Sequence, residues 1–233
     1  MALAATGDPE TTYLAGKLTG EELRSLGVNF NLAPSVDVNC NPANPIIGVR
    51  SYGDTPATVA KYAAGMIRGL QDGGVLCLAK HFPGHGDTAE DSHTGLAYSY
   101  RTVEELAACE LLPFEAAAEV GPHAVMVGHI VVPELTGDLP ATLCADAIAL
   151  VPDAENTLIV TDSLAMGAIT DSYTPGEAAV QALQAGCDVL LMPDGLADAY
   201  DAVLAAVQNG TLSEDRLDLS VNKILRMKAQ FCA

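Results

Sequence analysis

Between Lys80 and His93 the chain reads Lys-His-Phe-Pro-Gly-His-Gly-Asp-Thr-Ala-Glu-Asp-Ser-His, placing three histidines, two aspartates, a glutamate and a lysine within fourteen residues. Three chemistries fit such a segment. His81 and His85 lie four apart, which on a helix would put two metal-binding imidazoles on one face, but Pro83 and Gly84 between them remove the helix. Gly84 and Gly86 suggest a phosphate cradle, without the glycine spacing of a strand-loop-helix phosphate site. Asp91 and His93 suggest acid–base work: a carboxylate on one imidazole nitrogen fixes the tautomer and leaves the other to exchange a proton with substrate. An Asp-x-His is also compatible with a plain loop hydrogen bond. A second carboxylate, Asp162, follows the apolar run Leu158 to Thr161 and precedes Ser163-Leu164-Ala165-Met166-Gly167. At the end of a strand it serves as nucleophile or base, or equally as a helix N-cap.

These residues need a scaffold, and the hydrophobic pattern supplies one. Nearly continuous apolar runs at 28–38, 75–80, 124–132, 157–161 and 188–192 have the character of parallel strands covered on both faces. Between them, Thr55-Pro56 opens a helix that Gly73-Gly74 closes. Thr102 with Glu105 forms a capping box for a helix running towards Gly121, and Thr174 with Glu177 does the same for a helix ending at Gly186. A last helix is expected from about 213 to 228. Repeated βα units imply a parallel sheet or barrel. Polar residues follow every strand: Asp37 to Asn39, Lys80-His81, Gly128-His129, Asp162-Ser163 and Pro193-Asp194. Five strands delivering polar groups to one rim favour a (β/α)8 TIM-type barrel over an open sheet, which gathers such residues only at its switch point.

Composition narrows the rest. The 233 residues suit a single domain, 49% hydrophobic and 18% charged, with no low-complexity linker. A net charge of −19 repels nucleic acid and anionic membranes, so neither is an expected partner. No apolar run reaches the roughly 18 residues of a membrane span, and the N-terminus lacks a signal-peptide pattern, which points to a cytoplasmic location. The six cysteines, at 40, 77, 109, 144, 187 and 232, are scattered singly and are expected as free thiols.

Taken together, the segment Lys80 to Thr88 followed by Asp91-Ser92-His93, the block Asn41 to Gly53 and the block Thr161 to Met166 resemble the family 3 β-N-acetylglucosaminidases, in family order over nearly the whole chain. The resemblance implies a retaining glycosidase with Asp162 as nucleophile and His93, oriented by Asp91, as acid–base. Retention requires the two catalytic groups to stand about 5–5.5 Å apart across the sugar. The resemblance also implies that Lys80 and His81 hydrogen-bond sugar hydroxyls, that Arg50 binds the sugar from the preceding loop, and that His129 lines the same pocket. The implied partners are N-acetylglucosamine-containing glycans, with no cofactor and no metal. Family β-glucosidases carry their acid–base in a C-terminal domain, for which this sequence has no counterpart.

The chain departs from the family pattern twice. Ser163 stands where the family usually has a second Asp. The Asp-Gln-Glu-Gly-Gly segment of the family's first strands has no match, and Met1 to Thr6 resembles an internal stretch. The expectation is therefore an incomplete barrel, lacking the first one or two βα units, with weak or no activity of the chain alone.

Overall fold

A computed structural model describes residues 1–231, so Cys232 falls outside the described residues. The strands are β1 (Phe30–Asn31), β2 (Leu76–Phe82), β3 (Ala97–Tyr98), β4 (Ala124–Val127), β5 (Ile130–Val131) and β6 (Leu158–Thr161). The helices are α1 (Pro9–Ser25), α2 (Pro56–Asp72), α3 (Val103–Ala108), α4 (Leu112–Val120), α5 (Pro133–Thr136), α6 (Ala145–Ile148), α7 (Gly167–Thr170), α8 (Pro175–Ala185), α9 (Leu196–Gln208) and α10 (Glu214–Phe231). The main sheet has the order β1-β2-β4-β6, all parallel, with helices between successive strands. This is the α/β order expected of a TIM-type domain. A closed ring of eight strands is not formed among the described residues.

The helix ends follow the sequence signals closely. Thr55 accepts a hydrogen bond from the Thr58 amide with Pro56 in the first turn, and both capping boxes form, Thr102 with Glu105 and Thr174 with Glu177. The helix expected from Thr102 to Gly121 is in fact two. Pro113 has no N–H and crowds the preceding turn, so the chain breaks at Cys109 to Leu111 and restarts as α4. That break carries Glu110 into the interior, 1% exposed.

The long strand expected over 28–38 is also cut short. The Ala33 amide turns back to the Asn31 carbonyl and Pro34 offers none, leaving an isolated bridge from Ser35 to Lys80. The run at 124–132 divides at Gly128-His129, and β5 leaves the main sheet to pair with β3. At 188–192 only Val189 bridges to Val160, because the Leu191 amide donates to the Thr161 hydroxyl instead of a backbone carbonyl.

Side chains alternate between two cores. Cys77, Ala79, Val125, Val127 and Ile159 face the helices, joined by Ile67 and Leu70 of α2 and Phe114 of α4. Leu78, Met126, Leu158 and Val160 face the other way, with Ile224 and Met227 of α10 against them. Each such buried aliphatic side chain contributes about 1.5–3 kcal/mol through removal from water. The buried carboxylate of Asp188 fixes α10: Lys223 Nζ lies at 2.8 Å, Ser220 Oγ at 2.7 Å and the Ile159 amide at 3.0 Å. Two of the longer helices absent from the sequence reading, α1 and α9, pack against α2 and α8. The first lies so close to α2 that a Cβ on Gly69 would stand 2.2 Å from the Tyr13 carbonyl oxygen. No described helix is long and apolar enough to cross a membrane.

Candidate active site

The polar residues at the C-terminal strand ends converge, and Asp37 is their hub. Buried at 1% exposure, its carboxylate accepts from Ser35 Oγ at 2.8 Å, from the His85 amide at 2.8 Å, and from the His81 amide and ring. The His81 Nδ1 contact is 2.8 Å, and a carboxylate partner places the proton on Nδ1. Burial alone would raise Asp37, but the charge and hydrogen bond of His81, aided by His85, outweigh it and hold the carboxyl below its ordinary value. The opposite ring nitrogen, Nε2, lies 3.4 Å from Arg50 Nη2. Asp37 was visible in the sequence only as part of a polar cluster after the first strand, without a role.

Lys80 precedes His81 and is half-buried. Its ammonium is held below the usual lysine value by burial first and by the Arg50 charge second, against the upward pull of Asp162 and Asp37. That balance puts Lys80 within electrostatic reach of both carboxylates and of Arg50, which is itself exposed. Lys80, His81 and Arg50 thus come together.

The loop beyond β2 is shaped by its glycines. A Cβ at Gly86 would stand 1.7 Å from the Val38 carbonyl oxygen, and one at Gly84 (φ +136°) 2.6 Å from Glu110. Both glycines therefore press against protein, one against a carbonyl and one against a carboxylate side chain, which removes the phosphate-cradle reading. His85, 2% exposed, contacts the Thr88 hydroxyl at 2.7 Å with Nδ1 and the Ser92 hydroxyl at 2.9 Å with Nε2. With the His81 and His85 nitrogens committed to different partners, they present no shared metal site. Burial lowers His85 below the ordinary imidazole value, favouring the neutral ring that this hydroxyl relay requires.

Ser92 hands the constellation on to Asp91 and His93. Asp91 Oδ1 accepts both the His93 amide and His93 Nδ1, each at 2.8 Å, and the amide bond above all holds the Asp91 carboxyl below its ordinary value. The proton therefore sits on Nδ1, and Nε2 is the nitrogen left for substrate. The imidazole exposes 59% of its side chain.

Asp162 follows β6 directly. Its amide donates to the Val127 carbonyl at 2.9 Å, and its Oδ1 accepts from the Ser163 amide at 2.8 Å. The next helix, α7, starts only at Gly167 with Met166 at its cap, so Asp162 is not a helix N-cap. The His93 loop is fastened to this same segment: the Gly167 amide donates to the His93 carbonyl at 3.1 Å and the Ala168 amide to that of Ser92 at 3.4 Å. His93 and Asp162 are thereby held at one end of the sheet. His129 is placed differently from the expectation. Wholly buried, it donates from Nε2 to the Ser163 carbonyl at 2.8 Å and meets the Thr142 hydroxyl at 2.8 Å with Nδ1. It supports the Asp162 turn from behind rather than lining a sugar pocket, and burial lowers its imidazole value accordingly. Asp194 lies exposed on the surface.

Asp37, Lys80-His81 and Asp162 lie at the C-terminal ends of the strands, with the Asp91-oriented imidazole of His93 fastened beside them, which is where α/β domains of the barrel class build their sites. Residues 1–227 match the glycosyl hydrolase family 3 N-terminal domain, and the chain belongs to that family. Beta-hexosaminidase A of Pseudoalteromonas piscicida is 34% identical over 99% of this chain and 43% of its own length. Beta-hexosaminidase LpqI of Mycobacterium tuberculosis (strain ATCC 25618 / H37Rv) is 36% identical over 90% of this chain and 56% of its own. The structure of a glycoside hydrolase family 3 β-N-acetylglucosaminidase from Paenibacillus sp. str. FPU-7 superposes with a TM-score of 0.96 at 46% identity, covering 100% of this chain and 45% of that one. The chain spans about half the length of these relatives.

Proposed function

We propose that this domain carries the catalytic groups of a retaining exo-glycosidase that removes terminal β-linked N-acetylglucosamine. The observation that carries the reading is the pair of backbone bonds from Gly167 and Ala168 to His93 and Ser92, which couples the Asp-His loop to the Asp162 segment. The hexosaminidase names of the relatives support the substrate class.

In this scheme Asp162 attacks the anomeric carbon while His93 Nε2–H gives its proton to the departing glycosidic oxygen, forming a glycosyl-enzyme ester and releasing the aglycone. Asp91 stays ionised throughout and holds the imidazolium through Nδ1–H. The neutral imidazole then takes a proton from water as the water oxygen attacks the anomeric carbon, which restores Asp162 and frees the sugar with retained configuration. Lys80, His81 and Arg50 present donors for hydroxyls of the bound sugar, and Asp37 fixes the His81 ring that shares this task.

A chromogenic N-acetylglucosaminide tests the scheme. Turnover should be measurable and should vanish in Asp162→Asn, with His93→Ala reducing kcat by about 10²–10⁴-fold. Turnover unchanged in Asp162→Asn contradicts the assignment. A folded chain with no turnover at all is the outcome expected of a catalytically incompetent fragment.

A further inference from the structure

A second polar cluster lies beneath the loop that follows β2, built by residues to which the glycosidase scheme gives no part. Cys40 comes from the segment after β1, Asp87 from the loop itself, and Cys109 and Glu110 from the break between α3 and α4. One ligand atom from each of Cys40, Cys109 and Glu110 lies within 4.8 Å of the others. Cys40 Sγ is 3.3 Å from Glu110 Oε1 and 3.8 Å from Asp87 Oδ1. Around a tetrahedral zinc ion, bond lengths of about 2.3 Å to sulfur and 2.0 Å to oxygen put sulfur and oxygen ligands about 3.5 Å apart. Cys40 Sγ already stands near that spacing from both Glu110 and Asp87.

Glu110 supplies an independent sign of an absent partner. The residue is 1% exposed, and its Oε2 finds no hydrogen-bond donor among the described residues. Arg101 Nε lies 2.9 Å from Oε1, close enough for an ion pair, yet its N–H is not aligned for a hydrogen bond. A buried carboxylate so incompletely served is costly unless a cation or further donor completes it. Among the described residues, Arg101 is the one cation paired with both carboxylates of the cluster, at 2.9 Å from Glu110 and 3.5 Å from Asp87.

We propose that Cys40, Cys109 and Glu110, with Asp87 as fourth donor, bind one thiophilic divalent cation of the zinc class, which staples three loops beneath the catalytic rim. Binding forms two metal–sulfur bonds and releases both thiol protons to solvent, and the carboxylates coordinate through oxygen. The role is structural: all four positions are taken by protein atoms, so no coordination site remains for a reacting water. Asp87 also accepts from Ser99 Oγ at 3.2 Å, and Asn41 Nδ2 donates to the Asp87 carbonyl at 3.2 Å, so a bound ion would stiffen the loop that carries His85.

The test uses the whole chain freed of metal with a chelator and then titrated with cobalt(II) and zinc. Cobalt(II) should bind at one equivalent, with sulfur-to-metal charge-transfer absorption and the intense visible bands of a tetrahedral site. Zinc at a hundredfold excess over its Kd should raise Tm by roughly 5–10 °C. In the unaltered protein, zinc should protect Cys40 and Cys109 from alkylation, read by peptide mass spectrometry. Asp91→Asn, which alters the exposed Asp-His pair, should leave the cobalt spectrum unchanged, whereas Cys109→Ser should at least halve its charge-transfer band. The proposal is overturned if cobalt(II) gives no charge-transfer band, if both cysteines alkylate equally with and without zinc, or if binding is lost in Asp91→Asn and kept in Cys109→Ser. None of these readouts depends on glycosidase activity, so the outcome is separate from that of the proposed function.

Discussion

Asp37 holds two backbone amides, one imidazole and one hydroxyl on two oxygens, all away from bulk water. Replacing it by Asn removes the charge that makes these bonds strong, and Asp37→Asn should cost about 1.5–3 kcal/mol of stability, read by urea unfolding. An unchanged unfolding midpoint would contradict the hub role. The buried imidazoles add a pH dependence of definite sign. His85 and His129 both have folded values below the ordinary 6.5, chiefly through burial. The unfolded chain therefore takes up protons first on acidification. The stability these neutral rings provide is fully present above about pH 6.5 and is lost as pH falls below it. The fall in Tm between about pH 7.5 and pH 5.5 should thus be smaller in His129→Gln than in the unaltered chain, because one of these groups no longer titrates. Equal falls would contradict this reading of His129.

At the scale of elements, close backbone approach governs what can be changed. A Cβ on Gly69 meets the Tyr13 carbonyl at 2.2 Å, whereas one on Gly95 meets nothing within 4 Å. Gly69→Ala should cost about 1–3 kcal/mol by forcing α1 from α2, while Gly95→Ala should stay within about 0.5 kcal/mol. Thermal unfolding of the two variants checks this, and equal Tm values would contradict it. Capping residues and apolar runs make both ends of α2 and α8, the start of α3 and the β2, β4 and β6 strands legible in the sequence. The breaks were harder to see. Pro113, Pro34 and the Thr161 hydroxyl interrupt ladders and helices by withdrawing or diverting single hydrogen bonds, which a window of hydrophobicity averages away. The catalytic candidates were legible because Asp91 and His93 lie two residues apart. Asp37 was not, since its histidine partners are 44 and 48 residues away and only the fold brings them together.

For the whole molecule, the domain is a parallel sheet whose candidate site residues gather at one end and whose opposite end is tied down by Asp188 and α10. The imidazole of His93 is 59% exposed and Arg50 stands in solvent, so the described residues enclose a sugar only partly at this rim. Positioning errors of about 1 Å cost 10²-fold in rate, and a polypeptide of these 233 residues should turn over N-acetylglucosaminides about 10²-fold or more below a longer relative assayed alongside. Equal turnover would contradict this. The central claim, that Asp162 and His93 act on one sugar, is tested most directly by trapping. The chain is incubated with a fluorinated N-acetylglucosaminyl donor whose intermediate breaks down slowly, then digested and sequenced by mass spectrometry. The account predicts one glycosyl ester on Asp162, which fails to form in Asp162→Asn. Label on another residue, or turnover that yields the inverted anomer without any ester, would contradict it.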